Sequence, residues 1–576
     1  MTTTRARAYT SPTLVLLCFD WPDGNKHLDF LGFSIKRSPG YGKSGAPQYL
    51  YNKLDFAPHK NGDKPKLSNL APIQKFNWWD GGIGPSDAGK TFTYTITPVL
   101  GTGPNDLQEQ KAAAVELKVK LPNVVEGGVG SYFNRAVVSS QSFLSVVKKS
   151  LTTQMTWLAN GIESAVPDFL ASNPDQVSGA IYHLTDNWKI APAMKKYKGL
   201  LSFSYFVKTG SKGDEDSKPA ADLLSTGKRS FTPRSKITSL MHDKFIVGFD
   251  NGAPKRVLVG SMNFTPEAQT VQANVLHTFE SRQMAALYAD RHNLLLSDPT
   301  TAVTAKGTKL YPGSQWKLIT DIPGSKIRVF YSPEKAKSRI SIDTIVKAVA
   351  AAKSSVVFAL FSPTDKALLD ALLDAGDQGK IMFGLLNSIS DPETKAQKTG
   401  KPLTPTQQVA VTVYNRSRKD KKVIPFDAFS KDAPQAFLPE LRTIDPSSFS
   451  LKPPGGGAPA VHVHHKFVVI DADTANPIIY TGSQNLSVNS VSKNDENLLE
   501  IKGNTALAAV YFAEFMRLYN HYRARAIWEA QHGAKAKAAG SKSKDDALVL
   551  KTTRDEWVKG AYTKGTAEYA ARTRLA

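Results

Sequence analysis

A short pattern of polar residues occurs twice in this chain at one internal spacing. His242-Asp243-Lys244 is followed by Gly260-Ser261-Met262-Asn263, and His464-His465-Lys466 by Gly482-Ser483-Gln484-Asn485; in both copies 18 residues separate His from Gly. This constrains the fold more than any compositional figure, because it asks for one structural unit built twice. Two such units face each other across one shared site, and a single chain supplies both faces. A monomer is therefore expected.

The flanking residues fit that picture. Lys244-Phe-Ile-Val-Gly-Phe249 and Lys466-Phe-Val-Val-Ile-Asp471 are short apolar runs of the kind that form buried strands. Val257-Leu-Val-Gly260 and Pro477-Ile-Ile-Tyr-Thr-Gly482 are the strands expected beside them. Side chains alternate along a strand, so the His and Lys of each copy share a face. The Gly-Ser step brings backbone close to that face.

These residue types suit chemistry at phosphorus. Imidazole can attack phosphorus or deliver a proton near neutral pH, and two imidazoles can divide those tasks. Lys244, Lys466, Asn263 and Asn485 supply charge and amide donors to the non-bridging oxygens of a phosphodiester. His462, His464 and His465 lie close together, but no Cys or acidic cluster accompanies them, so no metal is expected there.

The pattern His-x-Lys with Asp five residues after the Lys, followed by Gly-Ser-x-Asn, resembles the phospholipase D superfamily of phosphodiesterases. The second copy carries it in full, through Asp471. In the first, Phe249 stands where the family has Asp, and Asp250 comes one place late. The resemblance implies two α/β halves around one site, no metal or cofactor, and a covalent phosphohistidine formed on the His of the first motif. It also implies a structural role for Asp471.

One chemical difference separates the copies. Eleven residues after Asn485 stands Glu496, and the same count from Asn263 reaches Asn274. A carboxylate raises the pKa of a histidine it bonds, and an amide leaves the ring neutral. The expectation is that Glu496 supports His464 as general acid while His242, beside Asn274, is the nucleophile. Ser261, Ser483, Asn274 and His462 are expected to touch substrate.

At 576 residues two or three domains are expected. Residues 1–125 alternate short apolar runs with Gly, Pro and Asp clusters, as in Leu14-Val-Leu-Leu-Cys-Phe19 and Thr91-Phe-Thr-Tyr-Thr-Ile-Thr97, which predicts a small all-β sandwich. Trp78-Trp79-Asp80 gives it a likeness to fibronectin type III or immunoglobulin-like modules. From Gly130 to about Leu170 the pattern reads as helical, and strand-helix alternation then appears twice, giving α/β halves over 126–320 and 321–576. Pro453-Pro-Gly-Gly-Gly-Ala-Pro-Ala460 is turn-rich sequence at the lip of the expected site.

Lys and Arg number 73 against 51 Asp and Glu, and the resulting charge of +22 favours a polyanionic partner, either an acidic phospholipid surface or nucleic acid. Part of it lies in the run Ala534 to Lys544, expected to be a basic tether. The single cysteine, Cys18, excludes an intrachain disulfide. The N-terminus lacks the long apolar run of a signal peptide, and no segment reaches the roughly 18 apolar residues of a membrane span. A cytoplasmic protein, or one exported without a signal peptide, is expected.

Three functions compete. Two motifs in one chain favour a phospholipase D acting on glycerophospholipid head groups. The charge, and the likeness of Gly-Ser-Met-Asn-Phe264 to the motif of nuclease members, favours a nucleic-acid phosphodiesterase. An inactive binding protein is disfavoured, because both His, both Lys and both Asn are present.

Overall fold

A computed structural model of the chain describes residues 2–576 except 42–43, 53, 58–63, 138–145, 147–148, 186–187, 208–216, 238, 302–314, 336, 388–422, 426–462, 533–548 and 559. His462, the Pro453–Ala460 segment and the basic run from Ala534 lie outside the described residues.

The N-terminal region is built from β1 (Arg5–Ser11), β2 (Leu14–Asp20), β3 (Phe30–Ser38), β4 (Gln48–Tyr49), β5 (Tyr51–Asn52), β6 (Lys66–Leu67), β7 (Asn77–Asp80), β8 (Thr91–Leu100), β9 (Gln108–Glu109) and β10 (Val115–Lys120). One sheet runs β1-β2-β7, another β10-β8-β3-β4 with β9 against β8, and β5 pairs with β6. β2 is buried along its whole length. Its alternation explains why: Val15, Leu17 and Phe19 enter the core of this β region, whereas Leu14, Leu16 and Cys18 enter a second core shared with the rest of the chain.

Two eight-stranded sheets follow. The first contains β11 (Val125–Glu126), β12 (Val129–Phe133), β13 (Gln176–Ile181), β14 (Leu200–Phe206), β15 (Arg229–Arg234), β16 (Lys244–Asp250), β17 (Ala253–Gly260) and β18 (Val275–Phe279), in the order β11-β12-β18-β17-β16-β13-β14-β15. The second contains β19 (Lys317–Ile319), β20 (Lys326–Ser332), β21 (Ser355–Leu360), β22 (Ile381–Leu386), β23 (Val423–Pro425), β24 (Lys466–Ile470), β25 (Ile478–Gly482) and β26 (Glu496–Lys502), in the order β19-β20-β26-β25-β24-β21-β22-β23. Counted along the chain, both orders are first, second, eighth, seventh, sixth, third, fourth, fifth. Helices join the strands, among them Ile162–Ala171, Arg282–Leu296, Ile340–Ala350 and Lys366–Asp377, which makes this part a mixed α/β structure.

Two expectations are corrected. Residues 129–133 form β12 rather than the start of a helix, because Val129 and Phe133 are buried and the segment pairs with β18; the next helix among the described residues begins at Leu151. The C-terminal residues reach beyond the second α/β half. Residues 550–576 return to the β region, where Trp557 Nε1 donates to the Phe30 carbonyl at 2.9 Å, Tyr562 Oη donates to the Trp21 carbonyl at 2.8 Å, and Arg572 pairs with Asp20. Trp557 and Tyr562 also pack against the core of that region.

The long helix Thr505–His532 ties the parts together. Its Glu514 accepts from Ser11 Oγ at 2.7 Å, and its Arg517 donates to the carbonyls of Asn134 and Arg135 at 3.1 and 2.8 Å.

Candidate active site

The two sheets deliver equivalent side chains from equivalent strand ends. His242 lies two residues before Lys244, the first residue of β16, and His464 two residues before Lys466, the first residue of β24. All four are buried. Each Lys Nζ donates to the carbonyl of the His two residues before it, at 2.7 Å in both copies.

β17 and β25 end at Gly260 and Gly482, and both positions require glycine. A Cβ on Gly260 would lie 2.1 Å from the Val275 carbonyl oxygen, and one on Gly482, whose φ is +142°, would lie 2.5 Å from that of Asn497. This close approach places Ser261 against Asn274 and Ser483 against Glu496. Ser261 Oγ donates to Asn274 Oδ1 at 2.9 Å, and Ser483 Oγ to Glu496 Oε2 at 3.0 Å.

Glu496 and Asn274 then reach across to the opposite half. Nδ1 of His242 lies 2.7 Å from Oε2 of Glu496, and Nδ1 of His464 lies 2.8 Å from Oδ1 of Asn274. The expected pairing of Glu496 with His464 is thus reversed. Sheet order gives the reason: within one half, β25 separates β26 from β24, so Glu496 is two strand spacings, roughly 10 Å, from its own histidine. The opposite half brings its histidine directly alongside, since His242 N donates to the Asp495 carbonyl at 2.8 Å.

The proton positions follow from the partners. Asn274 Nδ2 donates to the carbonyls of Ala268 and Gln272, at 2.9 and 3.1 Å, so its oxygen faces His464 and that ring carries hydrogen on Nδ1. Glu496 accepts from Asn494 Nδ2 at 2.9 Å as well as from Ser483, which aims its carboxylate at His242. With Nδ1 engaged in both rings, their chemistry belongs to Nε2. The expectation that Asn274, Ser261 and Ser483 touch substrate is also corrected: all three are buried, and their polar atoms are spent on one another and on His464 and Glu496.

Burial dominates the electrostatics. It holds the His242 imidazole well below the ordinary histidine range, with Lys244 and Lys466 adding to the effect, so this ring is neutral in the resting site. It pushes the Glu496 carboxyl up to about 7, opposed by Lys244. It pulls the Lys244 ammonium down to about 7, against the attraction of Glu496 and Asp243, and holds Lys466 far below the usual lysine range with help from Lys244. The amide oxygens of Asn263 and Asn485 are buried without a partner among the described residues.

Asp471 stands apart from this cluster. Its carboxylate accepts backbone N–H groups of Lys353, Ser354 and Ser355 at 2.9, 2.6 and 3.1 Å, fixing the turn before β21. In the first half Asp250 is on the surface beside Lys255, the extra residue of a bulge in β17 opposite Gly248 and Phe249. No group of three or more His, Cys, Asp or Glu side chains that could hold a metal ion occurs among the described residues. No helix among them is long and apolar enough to cross a membrane.

Three features escaped the sequence. Tyr182 and Phe361 lie edge-on to His242 and His464, and Asp243 is clamped on the far side of β16. There Arg291 Nε donates to Asp243 at 2.8 Å, as does Asn497 Nδ2. The aromatics directly follow strands that the apolar runs marked. Nothing in the linear pattern points to Arg291.

Residues 345–519 match the family model described as "Cardiolipin synthase, PLD-like domain". That stretch is similar to a phospholipase D-like domain. No curated protein matches its sequence. Among solved structures, phosphatidylserine synthase from Haemophilus influenzae Rd KW20 is similar at 10% identity and a TM-score of 0.40, covering 67% of this chain and 94% of that one. Nuc from Salmonella typhimurium, a phospholipase D family member, is similar at 17% identity and a TM-score of 0.22, covering 34% and 95%. Yeast tyrosyl-DNA phosphodiesterase is similar at 11% identity and a TM-score of 0.30, covering 58% and 86%.

Proposed function

We propose that this phospholipase D-like enzyme cleaves the head-group phosphodiester of glycerophospholipids without a metal, through a phosphohistidine on His242, and that its two sheets are an internal duplication. The observation that carries this reading is the crossed pairing of each imidazole with a residue of the opposite half. Neutral His242 presents the Nε2 lone pair to phosphorus. As the N–P bond forms, the bond to the leaving oxygen breaks and Nε2–H of protonated His464 delivers its proton to that oxygen. Water then loses a proton to His464 and attacks phosphorus, and the N–P electron pair returns to His242. An alcohol in place of water gives transfer instead of hydrolysis.

Glu496 matters most while the ring is phosphorylated, since the His242 ring is then cationic and the carboxylate offsets its charge. Asn274 gives His464 no such anion, which favours release of its proton. Lys244, Lys466, Asn263 and Asn485 hold the non-bridging oxygens.

The description of the matching family supports a lipid substrate. The charge of +22 supports the second reading, a nucleic-acid phosphodiesterase using the same residues. Phe264 lends that second reading nothing, because its side chain is fully buried in the core. Product release from phosphatidylethanolamine vesicles and from single- and double-stranded DNA, in excess chelator, separates the two. The lipid reading expects free head group, lost in both His242→Ala and His464→Ala. Cleavage of DNA alone, lost in the same variants, replaces it with the nuclease reading.

A further inference from the structure

β13 and β21 occupy the same place in the two sheets, each beside the strand that begins with the site lysine. Ile181 is registered opposite Lys244 and Leu360 opposite Lys466. The next residue in each case is aromatic, Tyr182 or Phe361. The Tyr182 ring centroid lies 4.8 Å from that of His242 at 65°, and Lys244 Nζ sits over the ring at 4.9 Å. The Phe361 centroid lies 4.7 Å from that of His464 at 62°, and Lys466 Nζ sits over it at 5.0 Å.

This match is not forced by the fold. Between the same His and Lys, one copy has Asp243 bound to Arg291, whereas the other has His465 among Phe133 and Phe467. The two environments have diverged while the aromatic geometry agrees to within about 0.1 Å. A ring face attracts an ammonium group most strongly where water is excluded. Each lysine is buried, bonded to a backbone carbonyl and covered by a ring.

We propose that Tyr182 and Phe361 are a matched pair of positioning residues, each holding one site lysine as an ammonium group aimed at the phosphodiester. The inference rests on the phosphodiesterase reading of the site. The other groups facing Lys244 are Glu496, Asp243, His242 and Lys466; those facing Lys466 are Glu496, His242, His464, His465 and Lys244. The rings add attraction without adding an acid that would compete with the substrate.

The test is the alkaline limb of kcat/KM for bis(4-nitrophenyl) phosphate, which reports the free enzyme. Tyr182→Leu and Phe361→Leu are each expected to move that limb about one pH unit lower, while Tyr182→Phe keeps it in place. Binding of inorganic sulfate, measured by calorimetry across the same pH range, needs no turnover and should lose its alkaline end in the same two Leu variants. A limb and a sulfate profile that stay put in folded Leu variants overturn the proposal and leave the rings as packing. Wild-type protein that binds sulfate but does not cleave the diester overturns the phosphodiesterase reading alone.

Discussion

Glu496 and Lys244 must be in opposite protonation states for the proposed chemistry, and both are brought to about 7 by burial. Glu496 has to be ionised to accept from His242, so activity rises as pH rises through its pKa. Lys244 and Lys466 both have to be protonated to bind the phosphodiester, so activity falls as pH rises through their pKa values. The expected kcat/KM profile is a narrow bell. Glu496→Gln should flatten the acid limb and lower kcat by roughly 100-fold, within the range typical of orienting partners, which a pH series of initial rates would check. His464→Ala should still release one equivalent of 4-nitrophenol from bis(4-nitrophenyl) phosphate, because that leaving group needs no proton, and should stall as phosphoenzyme. His242→Ala should show no burst. The identities of these residues were legible in the sequence because the repeat spacing singled them out. Their pairing was not, since counting from each Asn locates Glu496 and Asn274 but says nothing of which imidazole the opposite half brings near.

At the level of elements, apolar runs marked the central strands well, because β16, β21 and β24 are buried on both faces and read as continuous Val, Ile and Phe. β15 was missed for the opposite reason. It is an edge strand, Arg229-Ser-Phe-Thr-Pro-Arg234, in which Pro233 and two arginines hide the pattern. β12 was mistaken for helix because Val129-Gly-Ser-Tyr-Phe133 is too short to establish a period of two. Asp471 organises the join between β24 and the turn before β21. Asp471→Ala strands three backbone N–H groups and should cost about 1–3 kcal/mol in a denaturant titration, with turnover per folded molecule retained. Loss of turnover at unchanged stability would place this residue in the chemistry instead.

Over the whole molecule, the chain closes on itself: the last residues lie on the first strands, and one helix joins the β region to both sheets. Arg572 and Asp20 are buried partners in this closure. Arg572→Ala leaves a buried carboxylate unpaired and is expected to destabilise the protein by about 3–5 kcal/mol, whereas Lys218→Ala, which removes an exposed pair with Asp222, should change the melting temperature hardly at all. The return of residues 550–576 was illegible because Trp557, Tyr562 and Arg572 form no periodic pattern; their partners are defined only by the folded β region. The crossed tethers have a directional consequence. An unsymmetrical diester has one end that departs and one that stays, and the departing end must point at the acid. Which way round a substrate threads between the halves is therefore written in a single carboxylate-for-amide difference, and exchanging Glu496 with Asn274 should turn the cleft's polarity about and move the covalent phosphate to His464.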